Sequence, residues 1–205
     1  MVHELEPLLH PKSVAIIGAS DTPGRIGGRP IRFMQAENYG GQIYPINPNR
    51  DTVQGLKAYA SIKDVPEPVD CAIVAVPAQI AVDAIQDCVD NGVKSAVIFT
   101  AGFAEMDEAG ARAQHEIEDI IRASSMRAVG PNCLGVFTVS EGWYATFANA
   151  PDMLRMPPGP VGIVTQSGAY GSHVFVAAQA RRVGANYWVT TGNECDVDVA
   201  EVIEF

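Results

Sequence analysis

Short, continuously apolar runs alternate with stretches of helical period along this chain, and that alternation restricts the fold more than any other feature. Val14–Ile17, Ile43–Ile46, Ala72–Val76, Ala96–Phe99 and Arg127–Val129 read as strands. Between them, Ile26–Asn38, Ile80–Asn91 and Ala109–Ser124 read as helices. Ile80, Ala84, Ile85 and Cys88 fall at helical spacing, and Gly92 offers a natural C-terminal stop. Strands that are apolar on both faces belong in a parallel sheet covered on both sides.

The expected class is therefore α/β, with a Rossmann-like, doubly wound sheet over residues 1–150. Glu141–Ala150 is aromatic and irregular, and Ala150–Pro160 contains four prolines, so 151–160 reads as a linker. The alternation then restarts over 161–205: strand Val161–Thr165, helix Ser172–Arg182, strand Asn186–Thr190, turn Thr191–Asp196, and a helix from near Val197. One and a half βα units are too few to bury both faces of a sheet. The expectation is the front of a second α/β domain that continues beyond the chain or leans on the first. The apolar helical pattern runs up to Phe205, so residues 161–205 should be the least stable part or be covered by another chain.

A net charge of −10 argues against a nucleic-acid or anionic-membrane surface, since both require a basic face. Arg25, Arg29 and Arg32 form one local positive spot. The opening residues are too polar for a signal peptide, and no apolar run could span a bilayer. Cys71, Cys88, Cys133 and Cys195 form no CxxC pair and read as reduced thiols in the cytoplasm.

Two strands end in small-residue turns that open helices, at Ser13–Gly28 and at Val161–Ser172. Such a junction aims free backbone N–H groups and the positive end of a helix dipole at one point, which makes an anion site. The first loop, after Gly18, is longer than a GxGxxG turn. A dinucleotide-binding sheet would place an acidic residue at the end of the second strand to hold ribose hydroxyls. Here that strand ends in Asn47-Pro48-Asn49-Arg50, which disfavours NAD. Arg50 suits a ribose phosphate, as in CoA or NADP, or is simply a solvated turn arginine. Val76-Pro77-Ala78 and Thr100-Ala101-Gly102-Phe103 end two further strands at the same rim, where Pro77 offers an apolar wall and Thr100 to Gly102 offer backbone donors. Each alone reads as an ordinary turn; their convergence makes the case. At the second junction, Ser167, Gly168 and Ala169 present amides and a hydroxyl without the lysine of a P-loop, for phosphate or for a plain helix cap.

The remaining reactive residues read as structural. Cys133 has no histidine near it in sequence and reads as packing. His173, in the first turn of the Ser172 helix, reads as capping or packing, and His3, His10 and His115 as surface residues. Glu194, Asp196, Asp198, Glu201 and Glu204 read as a solvated helix face and not as a metal site. No catalytic residue and no metal ligand is assigned.

SVAIIGAS, YPINPN, the Val-Pro after the third strand, FTAGF, VGPNCLG, VGIVTQSGA and TTGNECDVD, in this order, resemble the nucleoside-diphosphate-forming acyl-CoA synthetases. These include ADP-forming acetyl-CoA synthetase and the α subunit of succinyl-CoA synthetase. The resemblance covers nearly the whole chain. It implies a CoA-binding Rossmann-like domain followed by the start of a flavodoxin-like ligase domain. It also implies synthesis of an acyl-CoA from a small carboxylic acid, CoA and ATP through an acyl phosphate and a phosphohistidine. Gly18, Ser20 and Arg25 match the loop near the CoA diphosphate. Arg50, with Asn47 and Pro48 before it, falls where the family places a basic residue for CoA. Val76, Pro77, Thr100, Ala101 and Gly102 match loops lining the CoA site, and Asn132 lies near the thiol end. Ser167, Gly168 and Ala169 match the helix N-terminus that holds phosphate or phosphohistidine.

The family's phosphorylated histidine lies downstream of residue 205, and ATP, ADP and Mg are bound by an ATP-grasp portion. The chain is therefore expected to be inactive alone, and to work with further ligase and ATP-grasp domains or as a homo-oligomer. It is either part of a longer synthetase or a short relative. A non-catalytic CoA- or nucleotide-sensing module is the alternative, and an NADP-dependent oxidoreductase a weaker one.

Overall fold

The computed structural model describes residues 3–153 and 157–205. Residues 154–156 of the expected linker and the first two residues lie outside it. A short helix α1 (Glu6–Leu9) leads into β1 (Ser13–Ile17), α2 (Arg29–Ala36) and β2 (Gln42–Ile46). A small hairpin, β3 (Thr52–Val53) and β4 (Leu56–Lys57), precedes β5 (Cys71–Val74), α3 (Ala78–Asp90), β6 (Ser95–Ile98), α4 (Glu108–Arg122) and β7 (Arg127–Val129). The second part contains β8 (Gly135–Thr138), β9 (Trp143–Thr146), the short helix α5 (Ala150–Met153), β10 (Val161–Thr165), α6 (Gly168–Ala180), β11 (Ala185–Thr190) and α7 (Val199–Glu204).

The described residues place the first five long strands in one parallel sheet, ordered β2-β1-β5-β6-β7. β5 and β6 are buried on both faces, which is why they read as unbroken apolar runs. The strand period of two still sorts their side chains. Ala15, Ala72, Val74, Ala96 and Ile98 face a core with Ala81, Ile85 and Cys88 of α3 and Ile117 and Ile121 of α4. Val14, Ile16, Ile73 and Val97 face the other way, toward Leu8 and Leu9 of α1, Ile31 and Met34 of α2, and Phe137 and Trp143.

Those last two residues belong to β8 and β9, an antiparallel pair of which β9 lies in the stretch Glu141–Ala150 that reads as irregular. The pair does not join the first sheet. β8 runs antiparallel to β11, giving a second sheet ordered β10-β11-β8-β9. The expected boundary at 150 thus divides chain segments that share a sheet. Gly135 starts β8 at φ +109°, where a Cβ would lie 1.9 Å from the Ala145 carbonyl oxygen, so only glycine permits this close pairing. Phe137 stacks on Trp188 (4.9 Å between ring centres, 11° between planes) and meets Tyr144 and Phe175 at 5.1 Å each. Val197 and Val202 are buried in the same core. The segment 161–205 is thus partly covered from within the chain, while Tyr170, Val183 and Ile203 remain exposed.

The acidic stretch also differs from its reading as a solvated face. Asp196 accepts hydrogen bonds from Arg127 Nε (2.9 Å) and the Ala128 amide (2.8 Å), and Glu201 accepts from Arg127 Nη2 (2.7 Å). Asp198 caps α7. His10 is half-buried, paired with Glu141 and hydrogen-bonded to the Tyr187 hydroxyl at 3.0 Å. Among the described residues, no helix is long and apolar enough to cross a membrane.

Because Phe137 is fully buried among Tyr144, Phe175 and Trp188, Phe137→Ala should cost about 3–5 kcal/mol, the scale of a buried phenylalanine truncation. Urea unfolding followed by tryptophan fluorescence and by far-UV circular dichroism should give coincident transitions in the parent chain. Two separated transitions would mean that the sheets fold independently.

Candidate functional site

The order β2-β1-β5 puts the reversal of strand order between β1 and β5. Ligands of open α/β sheets bind in the crevice beyond such a switch point. Gly18 closes β1 at φ +87°, and a Cβ there would lie 2.5 Å from the Ala75 carbonyl oxygen. The amides of Gly18 and Ala19 both donate to the Ile46 carbonyl (3.2 Å each), which locks the start of the loop to the end of β2.

The loop then curls as successive turns, with Arg25 N–H donating to the Thr22 carbonyl (3.1 Å) and Gly28 N–H to the Arg25 carbonyl (2.9 Å). It encloses a cavity of about 700 Å³ lined by Gly18, Ser20, Arg25, Gly27, Asn47 and Arg50, among others. An adjoining cavity of about 320 Å³ shares Gly18, Ala19 and Asn47 and is walled by apolar groups of Ile17, Ile62, Val76 and Ile80, with Pro48 at its edge.

Arg25 and Arg50 are exposed, and neither has an ion-pair partner among the described residues. Arg29 and Arg32 do not join them. Arg29 donates to the carbonyls of Gly24 and Phe147 and to the Asn149 side chain. Arg32 forms a two-pronged pair with Asp152 (2.9 and 2.8 Å). The positive spot expected from three arginines is therefore Arg25 joined by Arg50, with the other two committed elsewhere.

Asn47 faces the site as a brace. Its Nδ2 donates to the Ala19 carbonyl (2.8 Å) and its Oδ1 accepts from the Asn49 amide (2.9 Å). A second brace is Gln54, which the sequence reading passed over. Its Nε2 donates to the carbonyls of Ser20 and Gly28 (2.9 Å each), and its own amide donates to Asp21 Oδ1 (2.8 Å). Gln54 sits at φ +50° ahead of Gly55 at φ +81°. Two central residues at positive φ are the mark of a tight hairpin, and Gln-Gly between Val53 and Leu56 was its trace in the sequence.

The other rim residues form a second cluster. Pro77 is exposed and precedes α3. Thr100 is buried, and its hydroxyl donates to the Val76 carbonyl (2.7 Å), tying two strand ends together. Ala101 is exposed. The Gly102 amide, read as open to a ligand, instead donates to Glu105 Oε1 (2.6 Å), as does the Phe103 amide (3.2 Å). Burial would raise the Glu105 carboxyl, but these amides and the Asn193 side chain outweigh it and hold the group below its usual range. Asn132, at φ +59°, donates from Nδ2 to Asn193 Oδ1 (3.3 Å). Glu105 and Asn193 are the residues missed here.

Cys133 is 2% exposed, its thiol donates to the Ile98 carbonyl (3.3 Å), and burial pushes it up to about 12. That is a packing environment, without the depressed pKa of a nucleophile.

At the second junction, α6 starts four residues earlier than read, at Gly168, with Ser167 as its N-cap. The Ser167 hydroxyl accepts from the Tyr170 amide (3.4 Å), and the first-turn amides of Gly168 and Ala169 face outward from the helix end. His173 falls in the second turn, exposed, beside Ala169 on a third cavity of about 590 Å³ that Leu134 and Phe147 also line.

The family of CoA binding domains matches residues 12–138, and the succinyl-CoA ligase-like flavodoxin domain matches residues 158–205. The chain is 37% identical to acetate–CoA ligase (ADP-forming) II of Archaeoglobus fulgidus, covering 100% of this chain and 30% of that protein. It is also 37% identical to 4-hydroxybutyrate–CoA ligase (ADP-forming) of Nitrosopumilus maritimus, covering 96% of this chain and 28% of that protein. A solved structure of Candidatus Korarchaeum cryptofilum dinucleotide-forming acetyl-coenzyme A synthetase 1, in complex with phosphate and ADP, has a TM-score of 0.90 at 34% identity. It covers 98% of this chain and 42% of that one. The chain thus spans 30% or less of the length of these two ligases.

Gln54→Ala would leave the carbonyls of Ser20 and Gly28 without their side-chain donor. Amide exchange across residues 20–28 should quicken, while global stability falls by only about 0.5–1.5 kcal/mol per lost hydrogen bond. Unchanged exchange in that loop would show that Gln54 does not hold it.

Proposed function

Because the chain belongs to the family of CoA binding domains, continued by a succinyl-CoA ligase-like flavodoxin domain, we propose that it supplies the CoA-binding portion of an ADP-forming acyl-CoA synthetase. The overall reaction converts a carboxylic acid, CoA and ATP to acyl-CoA, ADP and phosphate through an acyl phosphate and a phosphohistidine. The observation that carries the reading is the pair Arg25 and Arg50. Both line the 700 Å³ cavity at the switch point, unpaired, where a nucleotide-binding sheet specific for NAD would present a carboxylate.

In this reading the Ala19–Gly28 loop and Arg25 hold the CoA diphosphate, and Arg50 holds the ribose 3′-phosphate. The apolar slot walled by Ile62 and Ile80 takes the adenine. The loops at Thr100–Gly102 and Asn132 flank the pantetheine arm, and Asn132 stands at its thiol end. The N-terminus of α6, at Ser167–Ala169, receives phosphate or a phosphorylated histidine brought by another segment, because outward amides and a helix dipole favour negative charge there. ATP and its magnesium bind to further ligase and ATP-grasp segments with which this chain associates.

Calorimetric titration should give the order CoA tightest, dephospho-CoA weaker, NAD weakest. Arg50→Ala should cost about 1–3 kcal/mol for CoA, the scale of a charge-assisted hydrogen bond, and much less for dephospho-CoA. NAD binding as tightly as CoA would overturn the reading.

Residues 1–205 incubated alone with labelled ATP, acid and CoA should form neither acyl-CoA nor phosphoprotein. His173 is exposed and Ser167, not His173, caps α6, so label on His173 would overturn its reading as a non-catalytic residue.

A further inference from the structure

One turn, Thr191–Glu194 between β11 and α7, touches the loops assigned to the pantetheine arm on one side and the approach to the phosphate-binding end of α6 on the other. On one side it is clamped to the approach to α6. The Gly192 amide donates to the Gln166 carbonyl (3.2 Å), and Gln166 Nε2 donates to the Gly192 carbonyl (2.6 Å), one residue before Ser167. On the other side Asn193 reaches the CoA rim. Its amide donates to the Pro131 carbonyl (2.9 Å). Its Nδ2 donates to Glu105 Oε2 (2.6 Å) and to Gln114 Oε1 (2.9 Å), and its Oδ1 accepts from Asn132 Nδ2 (3.3 Å).

The side chain of Asn193 therefore meets three separate pieces of the first sheet's surroundings: the loop after β6, helix α4, and the loop after β7. Through Glu105 it also fixes the amides of Gly102 and Phe103. A side chain this short with two donors and one acceptor in a plane is an asparagine's alone. An aspartate of the same shape would have no donor and would set a second negative charge against Glu105.

We propose that Asn193 is a positioning residue that holds the thiol-side loops of the CoA site in register with the phosphate-binding end of α6. This rests on the CoA reading above. The turn contributes no atom to the nucleotide end of the site, whose cavities are lined by residues 17–87. Loss of the latch should therefore weaken ligands that carry the pantetheine arm and spare those that do not. A residue that merely stabilised the fold would weaken both.

The test uses the full chain and two probes: CoA, and adenosine 3′,5′-bisphosphate, which has the nucleotide end and lacks the arm. Asn193→Asp should weaken CoA about tenfold or more, as expected for an exchanged charge-assisted contact, and leave the bisphosphate within about twofold. Adding Glu105→Gln supplies a donor opposite the new carboxylate and should restore most of the CoA affinity. Asn193→Ser, read in the same titrations, serves if the aspartate variant does not fold. Equal weakening of both probes, or an unchanged CoA affinity, or no rescue by the double variant, overturns the proposal. A parent chain that binds neither probe overturns the CoA reading itself and this inference with it.

Discussion

The loop after β7 and the approach to α6 are both tied to one stretch of backbone, Thr191–Val197, laid along the edge of the first sheet. The Gly130 amide donates to the Thr191 carbonyl (3.0 Å), the Cys195 amide to the Gly130 carbonyl (2.9 Å) and the Val197 amide to the Ala128 carbonyl (3.0 Å). The Thr191 amide in turn donates to Thr165 at the end of β10 (3.0 Å). An edge strand such as β7 presents unpaired backbone groups that must be covered or paired. Here the covering segment leads from the second sheet, so pairing the edge also fixes where the second sheet sits. The ion pairs of Arg127 reinforce this seam, but they are partly exposed and contribute less than the buried backbone bonds.

The first sheet was legible because its strands are short, apolar and buried on both faces, a pattern that local sequence displays directly. The second sheet was only half legible. β10 and β11 read as apolar runs although they are only partly buried, whereas Gly135–Thr138 and Trp143–Thr146, as buried as β5 and β6, mix glycine, aromatic and hydroxyl residues and show no clean aliphatic run. What makes β8 a strand is pairing far along the chain, such as Phe137 opposite Trp188, and β9 then adds to β8 at the sheet edge. A segment whose partner is so distant carries no local period to report it. The proline-rich stretch at 151–160 then read as a boundary, although the hairpin before it already belongs to the sheet after it.

The site divides in the same way. Glycines and strand ends announced the loops at Gly18, Thr100 and Ser167, since a chain that must turn beyond a parallel strand shows it in residue type. The braces did not show. Gln54, Glu105 and Asn193 are ordinary polar residues until the fold brings a foreign carbonyl or amide within 3 Å. The arginines give the converse case. Arg25, Arg29 and Arg32 are neighbours in sequence, but α2 begins at Arg29 and turns it and Arg32 toward residues 147–152. Arg25 stays on the loop, and its companion there is Arg50, from a different strand end.

That division of cations bears on how a polyanion is received by a chain of net charge −10. Arg32, Lys63, Lys94, Arg122 and Arg127 are each paired with a carboxylate. What lines the cavity is two guanidinium groups without an ion-pair partner among the described residues, and a loop whose Gly18, Ala19, Ser20 and Arg25 amides already donate to carbonyls. At physiological ionic strength charges are screened beyond about 8 Å. The overall negative charge therefore matters little once a phosphate is in the crevice. Contacts within that range decide. On the proposed reading, recognition depends on where the guanidinium groups stand, and so on the braces at Asn47 and Gln54 that hold the loop. On that reading the geometry of the loop, more than the charge of the protein, would set which phosphates are held.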